Sequence, residues 1–146
     1  MNIIALDLAE KCGWCTPTAS GVWNLKPKSY ESAGMKLIKF KSSLIELIQS
    51  ERPDLIAYEK PGGRNYNGIR SGANFEGVLQ TICLENEINY HGFSAGEIKK
   101  HATGKGNCNK EAMIQAAKLY FPETQIIDDN HADALWIFDL AKTRFK

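Results

Sequence analysis

No apolar run in this sequence approaches the roughly 20 residues that a transmembrane helix needs, which excludes a helical membrane protein from the expectations. A charge of one sign is also missing. Eighteen Lys and Arg against 17 Asp and Glu leave a net +1, so the overall balance calls for neither a polyanionic nor a polycationic partner. Met1-Asn2-Ile3-Ile4 runs straight into a strand pattern without the basic region of a secretion signal, and a cytoplasmic protein is expected. Repeats and low-complexity tracts are lacking. Cysteine is sparse, at 12, 15, 83 and 108, with Cys12 and Cys15 the one close pair, and His91, His101 and His131 are scattered. That spacing assembles no four-ligand zinc site, and reduced structural thiols are expected.

What is present suits an ordinary globule. The 146 residues, 43% hydrophobic and 24% charged, are enough for one domain with a real core, expected over residues 1–146. Residues 2–8, 13–16 and 21–25 read as an antiparallel meander. A helical apolar period from Met35 to Ile48 ends before Pro53, and a strand follows up to Glu59. Pro61 to Gly72, rich in Gly, Asn and Arg, reads as an exposed mobile loop, and a helix is expected over 73–86. A strand over 89–93 leads into Ser94-Ala95-Gly96-Glu97, which has capping-box spacing for a helix broken at Gly104. Asn109 can cap the next helix, and a last one is expected over 130–143. Five strands in this order predict an α/β fold: a mixed five-stranded sheet, meander plus parallel strands, with helices on both faces.

Acidic residues at three places in the chain resist explanation by folding alone. Asp7 ends the apolar run from Ile3, Glu59 ends the run from Leu55, and Asp129 and Asp133 open an apolar helical stretch. Taken singly, Asp7 reads equally as a turn residue, Glu59 as a partner of Lys60 or Arg64, and Asp129 as a helix N-cap. Asp133 is harder to dismiss, lying in the expected first turn between Ala132 and Ala134, and i to i+4 spacing puts it on one helix face with Asp129. Carboxylates gathered from two strand ends and a helix start repel unless a cation lies between them. Hard oxygen donors favour Mg²⁺ or Mn²⁺, and two ions roughly 4 Å apart suit phosphodiester hydrolysis.

Cations are clustered despite the neutral sum: Lys26, Lys28, Lys36, Lys39 and Lys41; then Lys60, Arg64 and Arg70; then Lys99, Lys100, Lys105 and Lys110. Any one cluster taken alone reads first as a solvated face. The densest lies in Ile98-Lys99-Lys100-His101-Ala102-Thr103-Gly104-Lys105-Gly106-Asn107. This segment, with Ala5-Leu6-Asp7-Leu8-Ala9-Glu10-Lys11-Cys12-Gly13-Trp14, Ser20-Gly21-Val22-Trp23 and Asp129-Asn130-His131-Ala132-Asp133-Ala134-Leu135, resembles the RuvC-like Holliday junction resolvases of the ribonuclease H-like superfamily, particularly the short phage and prophage proteins.

The resemblance keeps its order along almost the whole chain and implies a ribonuclease H-like fold. It also implies metal-binding catalytic places for Asp7, Glu59 and Asp133, and DNA-facing places for Lys99, Lys100, Lys105 and Lys110. In the family a fourth ligand stands three residues before the last aspartate, where this chain has Asn130. Asp129, one position earlier, is assigned the place, with Asn130 and His131 as alternatives. Arg64, Tyr66 and Arg70, just beyond Glu59, are positioned to reach a junction's centre, with Tyr66 stacking on an unpaired base. The expected partner is branched DNA, cut by a homodimer whose interface the resemblance places over residues 73–86. Competing expectations are a related nuclease for flaps or RNA–DNA hybrids, and a junction-binding protein without turnover.

Overall fold

A computed structural model describes residues 1–63 and 65–145. The chain runs β1 (Ile3–Asp7), β2 (Lys11–Cys15), β3 (Ser20–Asn24), α1 (Met35–Glu51), β4 (Leu55–Glu59), α2 (Tyr66–Glu85), β5 (Asn89–Phe93), α3 (Ala95–Thr103), α4 (Lys110–Tyr120) and α5 (Asp129–Arg144). The five strands form one sheet in the order β3-β2-β1-β4-β5. β1, β2 and β3 pair antiparallel, whereas β4 lies parallel to β1 and β5 parallel to β4. The expected mixed sheet is thus present, its parallel half made by crossovers through α1 and α2.

Strand alternation decides which helices cover which face. Ile4 and Leu6 of β1 and Ile56 and Tyr58 of β4 pack with Phe40 and Leu44 of α1 and Phe75 and Leu79 of α2. Ile3, Ala5, Leu55 and Ala57 point the other way, against Ile98 of α3, Met113 of α4 and the length of α5. Helices therefore lie on both faces, and both strand interiors read as continuous apolar runs because neither side meets water. The same alternation separates Cys12 from Cys15. Three positions apart on β2, they belong to opposite cores, and burial raises both thiols, Cys15 to about 12, so they serve neither as a redox pair nor as half of a zinc site.

Several boundaries differ from the sequence expectation. The loop after Glu59 is short, because Asn65 caps α2 by accepting from the N–H groups of Asn67 and Gly68, and the chain is helical from Tyr66 rather than Ala73. Its first turns lie exposed, so no apolar period marked them. The strands β2 and β3 also begin earlier, at Lys11 and Ser20. The capping box of α3 forms as expected: the Ser94 hydroxyl accepts from the Glu97 N–H at 3.1 Å while Glu97 accepts from the Ser94 N–H at 3.3 Å. Gly104, at φ 83°, ends that helix in the left-handed region. Among the described residues no helix is long and apolar enough to cross a membrane.

Candidate active site

Parity places the first two acids. Leu6 pairs with Tyr58 across the parallel β1–β4 ladder, so Asp7 and Glu59 follow one residue later at adjacent carboxyl ends. Both share the parity of Ala5 and Ala57, the face covered by α5. Small side chains on that face let the helix come close. The limiting contact is at Gly13, the cross-strand neighbour of Asp7, where an added Cβ would lie 2.0 Å from the carbonyl oxygen of Asn130. The first turn of α5 is thereby laid on the sheet beside Asp7, and an isolated strand glycine was the sequence signal for that approach.

The start of α5 corrects the reading of Asp129. Its N-cap is Asp128, whose side chain accepts from the His131 N–H at 2.8 Å. Asp129 is the first helical residue, and Asp133 falls in the second turn rather than the first. His131 is buried and fully engaged: its Nδ1 accepts from the Ile127 N–H at 3.0 Å, which leaves Nε2 protonated to donate to the Ser20 hydroxyl at 2.8 Å. Burial lowers its pKa and keeps the ring neutral. With both nitrogens occupied, His131 bolts α5 to β3 and is removed as an alternative fourth ligand.

Electrostatics bring the four carboxylates into one group. Asp7 is pushed well above the usual carboxylate range, first by burial and then by the charges of Asp133, Glu59, Asp129 and Asp128. Asp133 rises to about 7 through burial and the neighbouring Glu59 and Asp129, partly offset by Lys110 and Lys99. Burial raises Glu59 as well, against the pull of Lys99. Lys110, at the start of α4, stands 3.4 Å from Asp129. Among the described residues no three His, Cys, Asp or Glu side chains are already drawn into a coordination shell. Mutual repulsion opposes such closeness. The donor set, all oxygen, half-buried and incompletely neutralised, fits a hard divalent cation.

Protonation of this group carries a stability signature. In the folded state Asp7, Glu59 and Asp133 hold protons that the unfolded chain has released, so stability falls as pH rises from about 4, for Asp133 up to about pH 7. His131 works in the opposite sense below its ordinary 6.5, where the unfolded chain takes up a proton that the buried ring resists. The interval from about pH 6.5 to about pH 8 therefore isolates the carboxylates, and metal-free protein is expected to melt several degrees lower at its upper end. Saturating Mg²⁺ or Mn²⁺ should recover that loss. A melting temperature indifferent to both pH and metal would show the acids to be solvated and independent.

Asp7 and Glu59 open onto a cleft of about 460 Å³ whose far wall is the first two turns of α2, through Asn67, Gly68 and Ser71. Glu10, in the turn after β1, lines it too; sequence reasoning passed over this acid, although it lies three residues from Asp7. Of the expected DNA-facing residues, Lys99 and Lys110 act directly on the acidic group. Lys100 and Lys105 are exposed on and just after α3, and neither is among the charges that perturb the acids. Tyr66 is the first residue of α2 and 71% exposed, and Arg70 lies one turn further along the same exposed stretch. Arg64 lies outside the described residues.

A family model described as crossover junction endodeoxyribonuclease RuvC matches residues 10–138, a span that contains Glu59, Asp129, Asp133 and the basic segment but begins after Asp7. A crossover junction endodeoxyribonuclease RuvC from Brachyspira hyodysenteriae is 33% identical over 97 residues, covering 66% of this chain and 60% of that protein's length. One from Rickettsia akari is 25% identical over 122 residues, 82% of this chain and 76% of the other. Among solved structures, Thermus thermophilus RuvC in complex with a Holliday junction substrate superposes with a TM-score of 0.78 at 16% identity, over 97% of this chain and 93% of that one. This likeness shows the fold, the ribonuclease H-like arrangement expected from the sequence. Because the matched model runs unbroken from the turn after β1 into α5, across most of the sheet and every helix, the chain belongs to the crossover junction endodeoxyribonuclease RuvC family.

Proposed function

We propose that this chain is a metal-dependent endonuclease that cuts four-way or closely related branched DNA junctions as a homodimer. The observation that carries the reading is the mutual electrostatic perturbation of Asp7, Glu59, Asp129 and Asp133, two of which, Asp7 and Glu59, line one cleft, with Lys99 and Lys110 acting on the group. Asp7, Glu59 and Asp133 hold the metal, with Asp129, tied to Lys110, as the fourth donor. Bound there, one or two Mg²⁺ or Mn²⁺ ions supply Lewis-acid stabilisation of the phosphodiester and a more acidic water.

The protein's own contribution is placement. Packing against α5 leaves Asp7 half-buried at the cleft, while Lys99 and Lys110 attract phosphate and moderate the repulsion among the acids. Lys100 and Lys105 extend that attraction along and beyond α3, and Tyr66 and Arg70 present a ring and a guanidinium on the exposed start of α2, beside the cleft. RuvC of Thermus thermophilus has been captured on a Holliday junction, and the shared fold supports the same class of substrate here. Such a junction has approximate two-fold symmetry and needs paired cuts, which an isologous dimer supplies. The shallow groove along α2 lined by Ala73, Gly77, Val78 and Thr81 supports an interface there, since small residues let another helix approach.

With Mg²⁺ or Mn²⁺, purified protein is expected to cut a four-way junction at paired positions at least about tenfold faster than a flap, an RNA–DNA hybrid or linear duplex. Equal cutting of linear duplex would overturn the junction reading. Junction binding without cleavage under either metal would instead favour a binding protein.

A further inference from the structure

A second concavity, of about 350 Å³, adjoins the acidic cleft and shares Asn67 and Ser71 with it. Its character is opposite. Lys36 of α1 and Arg70 and Asn74 of α2 line it together with the shared residues, and no acidic side chain does. The Lys36 ammonium donates to the Ser71 hydroxyl at 2.9 Å and sits 5.6 Å from the centre of the Phe75 ring. Both partners are neutral. None of the ion pairs among the described residues includes Lys36 or Arg70. Two cations thus face one groove without an internal counter-charge, and one is anchored there by a hydroxyl and a ring face rather than left free in solvent.

That arrangement is poorly explained by folding, because like charges converging on a concavity repel, and an anion between them offsets the repulsion. Lysine, guanidinium and side-chain amides around the groove make a set of donors suited to phosphate oxygens. Continuity with the acidic cleft selects the source of the phosphate: a strand lying across Asp7 and Glu59 passes next over Asn67 and Ser71. We propose that this groove binds the phosphodiester backbone of the DNA strand flanking the cut, with Lys36 as its anchor. The proposal rests on the endonuclease reading above and assigns Lys36 a DNA contact that its place in a surface lysine cluster did not single out.

The test is junction affinity of the full chain measured over a salt series in metal-free buffer. Lys36→Gln is expected to weaken binding by about three- to tenfold and to reduce the slope of log affinity against log salt by about one, the signature of one lost phosphate contact. Lys36→Met, which retains the stem over Phe75, should show the same change, and Lys36→Arg should largely restore the slope. Lys118→Gln, on exposed α4 surface away from the groove, is the control for net charge. A methylphosphonate at the contacted linkage should weaken wild type but not Lys36→Gln. If wild type binds and the two Lys36 variants keep its slope, this inference fails alone. If wild type does not bind junctions, the endonuclease reading falls with it.

Discussion

Asp7→Asn is expected to lower metal-dependent cleavage by at least about 10³-fold, to leave junction affinity near the wild-type value, and to raise the melting temperature of the metal-free protein. The three effects have one cause. Asp7 is the acid on which the cluster converges, half-buried on the α5 face and raised by desolvation and by four neighbouring carboxylates. An amide of the same shape removes the cost of keeping an acid there, whether as a repelled charge or as a proton taken up on folding, so the fold gains. It also removes a metal donor, so the chemistry loses. Affinity is spared because phosphate contacts come from lysines elsewhere. Single-turnover cleavage, a binding isotherm and a thermal melt of the same preparation check all three. Retained cleavage would remove Asp7 from the metal site, and an unchanged or lower melting temperature would show that its charge is not a burden on the fold.

Gly13→Ala is the second large effect, and it acts through backbone. The new Cβ would fall 2.0 Å from the Asn130 carbonyl oxygen and 2.6 Å from its carbon, neither of which can rotate away. Helix α5 must lift from β2 at its acidic end, at a cost of roughly 2–4 kcal/mol and a melting temperature lower by about 10 °C. The carboxylates of Asp129 and Asp133 move with the helix, so cleavage is expected to fall well below wild type even at temperatures where the variant is folded. Gly21→Ala separates geometry from general destabilisation. There the nearest atoms, at 3.1 Å, belong to the Trp14 side chain, which packs on the sheet face opposite α5, and activity should survive. Wild-type stability and cleavage in Gly13→Ala would mean that α5 is not held by this contact.

Much of the architecture was legible because its causes are local. Apolar alternation marked the strands, Pro53 ended α1, and Ser94 with Glu97 announced α3, each signal acting within a few residues. The start of α2 escaped for a related reason: its first turns bury little, so periodicity was silent there and only Asn65, as a cap, could have revealed it. The acids were legible as a set because a carboxylate ending an apolar strand has few structural uses. Their roles were not. Asp128 and Asp129 are adjacent and chemically identical, and only the direction of the entering chain decided that the first caps the helix and the second pairs with Lys110.

The sequence by itself determined the elements, their order, the family pattern and the acids that end β1 and β4, since propensity, capping and alternation are written in neighbouring residues. Tertiary structure alone decided which groups share a site. His131 meets Ser20 across 111 positions, Gly13 admits the backbone of Asn130, and Lys36 finds Ser71 from another helix. Those meetings depend on the distance at which α5 and α2 settle on the sheet, a distance set by the summed packing of both cores, which no short stretch of the chain encodes.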